Sequence, residues 1–386
     1  RRWKGKGMGP MMRWVRGLAA ASGMVWLVFM MGCPGFFVYP GSLNGSGTGS
    51  GGNYVYVANA GTDSVSGFSI GTGTLTALTS SLYGLGYSPV ALAVNPANSI
   101  LYVASSGLIY AYAIQSNGSL SSLNGGSAVG IANAVSMDIS PDGQWLFVLD
   151  GNDVTLDEFQ INSTTGALTQ QTGASYSLSG ITPVAHAVKV APNGQEVFVA
   201  LGTGGDLVYP LNTTTGALSA ALTLAPASST TSDNALAVNS TSTYLFIARS
   251  GSSTGVAVYS IASGGGLTLV SGSPFPAGTQ PFSVIVNNAG TDVYVANQLD
   301  STISGYSVAS NGVLTALGGS PYSSGSGVTA LAADRTGDYV LAAAHGGSPD
   351  LSMYSFDQTI AGKLNLATSV ATGTDPTLPI AIAVTH

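Results

Sequence analysis

The run Tyr54-Val-Tyr-Val-Ala-Asn59 opens the first of seven similar repeats, and this pattern decides the fold. Aromatic, β-branched and small residues in such a run favour a β-strand. The runs begin about 44 to 52 residues apart, a spacing typical of the blades of a β-propeller. The later copies are Leu101-Tyr-Val-Ala-Ser105, Trp145-Leu-Phe-Val-Leu-Asp150, Val197-Phe-Val-Ala-Leu201, Tyr244-Leu-Phe-Ile-Ala-Arg249, Val293-Tyr-Val-Ala-Asn297 and Tyr339-Val-Leu-Ala-Ala-Ala344.

Each repeat has the turn pattern of four strands. The opening run is followed by a second run such as Ser64-Val-Ser-Gly-Phe-Ser-Ile70, by a glycine turn with a leucine such as Gly73-Thr-Leu75, and by a closing run such as Val135-Ser-Met-Asp-Ile139. Four antiparallel strands make one blade. The composition agrees, because 53 Gly and only 7% charged residues favour short strands and tight turns over helices. The sequence therefore predicts an all-β fold, a seven-bladed β-propeller with four-stranded antiparallel blades.

Two adjacent positions of the closing runs differ consistently in size. Neighbouring residues of a strand point to opposite faces of the sheet, so each blade should offer a bulky row on one side and a small row on the other. We expect the bulky row of one blade to pack against the small row of the next around the whole ring. The bulky row is Leu92, Met137, Val188, Leu236, Val284, Leu331 and Ile382, and the small row is Ala91, Ser136, Ala187, Ala235, Ser283, Ala330 and Ala381.

The two ends of the repeat region complement each other. The first repeat starts at Tyr54 with the second strand of a blade, and the chain ends with Pro379-Ile-Ala-Ile-Ala-Val-Thr-His386, which has the closing-run pattern. We therefore expect the last strand to complete the first blade. Such a closure removes the open sheet edges that would otherwise promote aggregation.

The amino-terminal segment has the order of a secretory signal. Basic residues precede an apolar run from Gly17 to Met31, and Met30-Met31-Gly32-Cys33 resembles a bacterial lipobox. We interpret residues 1–33 as a signal peptide, with lipidation of Cys33 as its outcome; an ordinary signal and an uncleaved anchor are the alternatives. Cys33 is the single cysteine of the chain, so the repeat region holds no disulfide and no cysteine ligand.

Residues 34–53 are rich in Gly and Ser, as in a flexible tether, and residues 54–386 form the propeller. This arrangement predicts an exported protein of the cell envelope, periplasmic or on the outer surface, that reaches the membrane through an amino-terminal lipid anchor. We expect it to be a monomer.

The charge balance argues against nucleic acid as a partner. Six of the ten Lys and Arg residues precede the apolar run, which leaves four bases against 17 acids in the remainder. The excess of negative charge in this remainder of the chain repels the phosphate groups of a nucleic acid. We find no motif for a metal, for a phosphate-binding loop or for a catalytic serine elbow. The sequence thus predicts neither a metal site nor a cofactor.

One face of the predicted ring carries the variable positions. The inner strands begin there and the opening runs end there, and both positions are apolar in some repeats and ionisable in others, as at a ligand-binding rim. His186 and Arg249 are the candidate catalytic residues, because arginine suits a carboxylate or phosphate ligand and histidine can accept or donate a proton near neutral pH. The candidate ligand-binding residues of the rim are Asp150, Asn234, Asn297, Gln298 and His345.

Structural alternatives exist for four of the candidates. Asn297 and Asp150 end opening runs ahead of loops, where such side chains commonly cap turns. His186 could be held by a neighbouring carbonyl group. Arg249 could form a structural pair with an Asp of the rim.

The repeats resemble a known family. The Tyr-Val-Ala-Asn strands, the Ser140-Pro-Asp-Gly143 turn and the Thr165-Gly-Ala-Leu168 turn are similar to those of lactonase-like seven-bladed propellers, which are related to bacterial 6-phosphogluconolactonase and to YVTN-type repeat propellers. The resemblance covers residues 54–386. It implies the propeller fold and, for the lactonase members, hydrolysis of a carbohydrate lactone.

The resemblance also bears on individual residues. Pro183-Val-Ala-His186 keeps one His of the family's Pro-His-x-His segment, Ala248-Arg249-Ser250 is similar to its Asn-Arg-Gly segment, and Ala296-Asn297-Gln298 to its Asn-Gln segment. It implies that Arg249 holds an oxygen of a lactone while His186 positions or deprotonates a water molecule. The family's Asp-Leu-Gly segment is replaced by Ala200-Leu201-Gly202, and Arg249 lies one blade earlier than in the family order.

Because the ionisable residues of the rim are few, the sequence favours a binding or scaffold module at the cell envelope. Its partner would be a small-molecule lactone or sugar, or an envelope protein or glycan. The alternative is a lactone hydrolase.

Overall fold

The computed structural model of the chain describes residues 52–386 apart from 106, 132, 153, 179–184, 348 and 374–378. The predicted signal peptide, its Cys33 and nearly all of the predicted tether therefore lie outside the described residues. Two single-turn 3-10 helices, Ala60–Thr62 and Asn124–Gly126, are the helical elements of the described part. That part contains no helix with the length and apolar character needed to cross a membrane.

Short strands account for nearly all the regular structure, as expected from the Val-, Tyr- and Ala-rich runs. In chain order they are β1 (Tyr54–Asn59), β2 (Ser64–Gly71), β3 (Thr74–Ala77), β4 (Tyr83–Gly84), β5 (Pro89–Val94), β6 (Ile100–Ser105), β7 (Leu108–Ile114), β8 (Leu120–Ser122), β9 (Val129–Gly130), β10 (Ala134–Ile139), β11 (Trp145–Asp150), β12 (Thr155–Ile161), β13 (Leu168–Ser177), β14 (Ala187–Val190), β15 (Glu196–Ala200) and β16 (Asp206–Pro210). They continue with β17 (Leu222–Leu224), β18 (Thr231–Val238), β19 (Tyr244–Gly251), β20 (Gly255–Ile261), β21 (Leu267–Leu269), β22 (Pro281–Val286), β23 (Asp292–Asn297), β24 (Thr302–Val308), β25 (Leu314–Ala316), β26 (Tyr322–Ser323), β27 (Val328–Ala333), β28 (Tyr339–Ala344), β29 (Leu351–Phe356), β30 (Leu364–Val370) and β31 (Pro379–Val384).

These strands form seven antiparallel sheets, which are the predicted blades. Each blade is named in chain order and its strands are given from the inner to the outer edge. Blade 1 is β31-β1-β2-β3, blade 2 is β5 to β8, blade 3 is β10 to β13, blade 4 is β14 to β17, blade 5 is β18 to β21, blade 6 is β22 to β25 and blade 7 is β27 to β30. The two-residue strands β4, β9 and β26 extend blades 1, 2 and 6.

The inner strands surround a common axis. Each inner strand contacts the inner strands of the two neighbouring blades, and the contacts run without a break from β5 through β27 to β31 and back to β5. The predicted seven-bladed ring is therefore confirmed.

The carboxyl-terminal strand closes the ring as predicted. Strand β31 pairs antiparallel with β1, with Val384 opposite Val55 and Ile382 opposite Val57. Beyond the strand, the Thr385 hydroxyl accepts a hydrogen bond from the backbone N–H of Tyr54 at 2.9 Å. Blade 1 is thus assembled from both ends of the propeller.

The bulky and small rows pack as expected. Ala381 of blade 1 shares a buried cluster with Leu92 of blade 2, and Ala235 of blade 5 shares one with Val284 of blade 6. Further pairs of this kind are Ala91 with Met137, Ala187 with Leu236 and Ala330 with Ile382. Where the small residue is serine, its hydroxyl accepts a backbone N–H of the next blade, Ser136 from Val188 and Ser283 from Leu331, both at 3.2 Å.

The antiparallel order gives the propeller two distinct faces. At one of them, here named the mouth face, the inner strands begin and the second strands end. His186 precedes β14 there, and Gln298 and His345 follow β23 and β28.

Candidate functional site

His186 lies at the mouth face directly before the inner strand of blade 4. Its backbone N–H donates a hydrogen bond of 3.0 Å to the carbonyl oxygen of Ala200, and its side chain is partly exposed. The imidazole lies over Gly202, where a Cβ atom would come within 2.7 Å of Cδ2 and 2.8 Å of Nε2. A residue without a side chain is therefore required at position 202 for the ring to lie where it does.

Arg249 lies beneath this surface in strand β19, paired with Asp233 of the neighbouring β18. Its Nε and Nη2 atoms donate to the two carboxylate oxygens of Asp233, at 2.5 and 2.9 Å. Only 3% of Arg249 and 1% of Asp233 is exposed. Arg249 therefore forms a buried ion pair with an aspartate of the rim, which is the structural alternative stated for this residue in the sequence analysis.

Asp233 also connects blades 4 and 5. Its backbone N–H donates to the carbonyl oxygen of Gly202 at 3.3 Å, so the residue beneath the His186 ring is tied to the residue that holds Arg249. His186 and Arg249, which the sequence singled out separately, thus share Asp233 as a neighbour.

Two further side chains complete a buried cluster, defined here as Asp206, Asp233, Arg249 and Tyr259. Asp206 is the first residue of β16 and is 2% exposed, and Tyr259 lies on β20 with its side chain against Arg249. Neither carboxylate oxygen of Asp206 has a hydrogen-bond partner among the described residues. The cluster joins β16 of blade 4 to the three inner strands β18, β19 and β20 of blade 5.

Burial dominates the electrostatics of this region. It lowers the pKa of His186 to about 4, against the opposing effect of the Asp233 charge, so the imidazole is neutral at neutral pH. Burial raises the pKa of Asp206 well above its usual value; the charge of Asp233 adds to this and that of Arg249 opposes it. Burial alone would lower the pKa of Arg249, but hydrogen bonding and charge from Asp233 raise it on balance.

Asn234 supports the boundary between blades 5 and 6. Its side-chain amide donates to the carbonyl oxygen of Pro281 at 2.7 Å and to the Ser250 hydroxyl at 3.0 Å, while its oxygen accepts from Ser232 at 2.8 Å. Asn234 is 5% exposed. Its polar atoms therefore organise the rim from below, and the partly exposed Ser232 and Ser250 hydroxyls lie beside it at the surface.

Asp150 and Asn297 hold turns. The Asp150 carboxylate accepts the backbone N–H groups of Asn133 and Asn152 at 3.0 and 2.8 Å. The Asn297 amide donates to the hydroxyls of Thr302 and Ser304, and its oxygen accepts from the backbone of Gly278. Both residues are almost completely buried, which favours the turn-capping alternative for each.

Gln298 and His345 come together on blades 6 and 7. Gln298 Nε2 and His345 Nε2 are 3.4 Å apart, and both side chains are partly exposed. They form a second polar part of the mouth face, separate in the chain from His186. The predicted site residues thus divide into partly exposed groups, which are His186, Gln298 and His345, and buried ones.

The sequence matches the family described as lactonase, 7-bladed beta-propeller, over residues 86–231 and 207–329. The two segments overlap and together cover more than half of the chain. The chain belongs to this lactonase family. The resemblance noted in the strand and turn motifs is thereby confirmed, and the seven-bladed architecture agrees with it.

Solved structures with the same fold include a protein from Lactobacillus plantarum, with a TM-score of 0.70 at 19% identity, covering 87% of this chain and 100% of its own. A Bacteroides fragilis protein assigned as a 6-phosphogluconolactonase has a TM-score of 0.70 at 17% identity, covering 89% and 100%. The periplasmic gluconolactonase of Pseudomonas aeruginosa has a TM-score of 0.67 at 17% identity, covering 87% and 99%. At these identities the likeness establishes the fold. No curated protein sequence matches the chain.

In the described part of this lactonase-family propeller, every lysine and arginine residue already has an interaction partner. Lys189 pairs with Asp138 at 2.9 Å, Lys363 pairs with Asp357 at 3.2 Å, and Arg249 pairs with Asp233. Arg335 also has an interaction partner. The described part of the mouth face therefore offers an anionic ligand no unpaired lysine or arginine. The same part of the chain contains no group of three or more His, Cys, Asp or Glu residues placed to hold a metal ion.

Sequence reasoning missed Asp206, Asp233 and Tyr259. A signal for the two acids was present, because charged residues make up only 7% of the chain and both acids stand beside mouth-face turns. Asp233 directly precedes the candidate Asn234, and Asp206 follows the pair Gly204-Gly205. The hydroxyl of Tyr259 carried no such signal, because tyrosine recurs in core positions of nearly every blade.

Proposed function

We propose that this lactonase-family propeller opens the ring of a neutral lactone at the mouth face of blades 4 and 5. One observation carries the proposal: in a chain of this family, the partly exposed His186 ring lies against Gly202, whose carbonyl oxygen accepts the backbone N–H of Asp233, the buried partner of Arg249. A neutral imidazole can accept a proton from water, which is the requirement for a general base.

The reaction needs one proton transfer to His186 and one from it. A water oxygen attacks the carbonyl carbon of the lactone, and His186 takes the proton that the water loses. The charge of Asp233 favours the imidazolium that forms. When the bond between the carbonyl carbon and the ring oxygen breaks, the imidazolium returns its proton to that oxygen, and the product is a hydroxy acid. The partly exposed Ser232 and Ser250 hydroxyls offer hydrogen bonds to the ligand.

The charge of the site favours a substrate without a phosphate group. The Arg249 guanidinium is occupied by Asp233, and the other described bases have partners. A phosphate would meet no unpaired lysine or arginine among the described residues of this site, which is unfavourable. The predicted export of the protein agrees with a substrate outside the cytoplasm, and the similarity of the fold to a periplasmic gluconolactonase supports that location.

A second candidate function is a non-catalytic binding or scaffold module. The observation that favours it is the pairing of Arg249, because that pairing leaves His186 without a cationic partner for the developing oxyanion. In this case the mouth face would bind a sugar or lactone, or an envelope protein or glycan, while a lipid on Cys33 anchored a monomeric propeller to the membrane.

Hydrolysis assays with paired substrates test the proposal. Wild type, His186→Ala and the control His345→Ala would be assayed on a neutral aldonolactone and on the same lactone carrying a phosphate. We expect wild type and His345→Ala to prefer the neutral lactone, and His186→Ala to lose about 10²-fold or more in kcat/KM. Arg249→Ala is a poor probe because it leaves the Asp233 charge buried and unpaired, which destabilises the fold.

Equal hydrolysis by all three proteins would contradict the role of His186. If wild type hydrolyses neither lactone, calorimetric titration with the neutral one decides between the two functions. Binding that is lost in His186→Ala would support the binding module, and absence of binding by wild type would exclude a lactone as the ligand.

A further inference from the structure

Asp206 is a buried carboxyl group whose charge the surroundings do not compensate. It is 2% exposed, and neither of its carboxylate oxygens has a hydrogen-bond partner among the described residues. An ionised carboxylate in such a position loses its hydration without replacement, which costs several kcal/mol. The proposed hydrolysis assigns no role to this residue.

The groups that face Asp206 come from three strands of blade 5. They are Asp233 on β18, Arg249 on β19 and Tyr259 on β20. The single guanidinium is already held by both oxygens of Asp233. With Asp206 ionised, the cluster would hold two negative charges and one positive charge away from water. His186 lies above it and interacts with the Asp233 charge.

We infer that Asp206 is a carboxylic acid in the folded protein and donates its proton to Asp233, so that Asp206, Asp233 and Arg249 form one hydrogen-bonded unit of zero net charge beneath His186. Two carboxylates cannot hydrogen-bond to each other, whereas an acid and a carboxylate can. The proton gives the Asp206 carboxyl group a hydrogen bond to Asp233 and also cancels the excess negative charge of the cluster. The upward direction of the Asp206 pKa agrees with this assignment.

The unit gives Asp206 a positioning role. Asp233 receives Arg249 on one side and the Asp206 proton on another, which fixes the carboxylate that faces His186. Loss of the proton as the pH rises through the folded-state pKa would introduce a buried negative charge and weaken the contact between blades 4 and 5. The effect on His186 rests on the proposed function, but the protonation state of Asp206 can be measured without it.

Stability as a function of pH is the primary test. The pKa of Asp206 is raised on folding, so its stabilising contribution is complete at acidic pH and is lost as the pH rises towards the folded-state pKa. Over that range the folding equilibrium constant of wild type should fall relative to that of Asp206→Asn by up to about tenfold per pH unit. Asparagine keeps a neutral donor and cannot ionise.

Asp63→Asn is the matched control, because Asp63 is exposed and also lies where the third strand of a blade begins. Its denaturant-unfolding curves should follow wild type at every pH. A constant difference between wild type and Asp206→Asn across the pH range would overturn the inference.

Nuclear magnetic resonance of wild type with ¹³Cγ-labelled aspartate provides a second measurement, which stands even if Asp206→Asn does not fold. At neutral pH exposed aspartates are ionised, so we expect the signal of a protonated aspartate side chain to identify a buried acid, and the absence of such a signal would overturn the inference. If the protein hydrolyses a lactone, Asp206→Asn should retain the rate while Asp206→Ala loses it. An inactive wild type would refute the hydrolysis and leave both structural readouts valid.

Discussion

Gly202 sets how closely the His186 ring can approach the boundary of blades 4 and 5. The residue has a φ of +55°, and a Cβ atom there would overlap the imidazole at 2.7 Å. We predict that Gly202→Ala displaces the ring and lowers kcat/KM, or ligand affinity, about as much as His186→Ala does.

The control for this substitution is Gly73→Ala. Gly73 has a similar φ of +66°, and no atom lies within 4 Å of the position that a Cβ atom would take there, so the backbone strain is shared while the clash is not. Activity should therefore survive in Gly73→Ala. Retention of activity in both variants would show that the ring position is unimportant.

The protonation of His186 gives a pH dependence with a defined sign. Burial lowers its pKa to about 4, and a general base works only in its deprotonated form. The hydrolysis rate should therefore be level from neutral pH down to mildly acidic pH and then fall about tenfold per unit below a pH of about 4. A rate that already halves near the ordinary histidine pKa of about 6.5 would contradict the assignment.

Sequence reasoning reached His186 and Arg249 but not the way they are combined. Both stood out as rare ionisable residues at variable positions of the repeats. The ion pair with Asp233 depends on the register of β18 and β19 within blade 5, whereas the approach of Asp206 from β16 depends on two blades that meet only in the folded ring. Repeat alignment compares equivalent positions, so it does not reveal which non-equivalent side chains touch.

Among the strands, β31 contributes most directly to the closure of the ring, because it completes blade 1. Ile382 is completely buried between blades 7 and 1, opposite Val57 in the register of β31 and β1. We predict that Ile382→Ala lowers the free energy of unfolding by about 2 to 5 kcal/mol, measured by denaturant titration.

Leu366→Ala on the outer strand β30 is the control for Ile382→Ala. Its side chain is 61% exposed, and we expect a change within about 0.5 kcal/mol. Deletion of residues 379–386 should remove cooperative unfolding altogether, because blade 1 would lose its inner strand. A truncated protein as stable as wild type would refute the closure as a source of stability.

The strands themselves were predictable because their signals are local. Runs such as Tyr54-Val-Tyr-Val-Ala-Asn59 and the glycine turns between them determine strand and turn within a few residues, and seven copies reinforce the pattern. The two-residue strands β4, β9 and β26 were not predicted. They arise in loops with no periodic pattern and form only because the third strand of the blade offers a free edge.

For the whole molecule, the size complementarity of neighbouring blades fixes how the ring fits together. Ala235 of blade 5 is completely buried in the cluster that contains Val284 of blade 6. We predict that Ala235→Leu overpacks this boundary and costs about 1 to 3 kcal/mol in thermal or denaturant unfolding.

Ala77→Leu provides the comparison, since Ala77 is exposed on the outer strand β3 and does not belong to the inner-strand rows. Its unfolding midpoint should remain close to that of wild type. An equal loss in both variants would argue against specific packing between the inner strands.

The pairing of β1 with β31 also determines the face at which the chain enters the propeller. Strand β1 runs from Tyr54, at the face opposite the mouth, to Asn59 at the mouth. Whatever precedes Gly52 consequently joins the propeller on its far side. His186, Gln298 and His345 therefore lie on the face opposite the point where the amino-terminal segment enters the propeller.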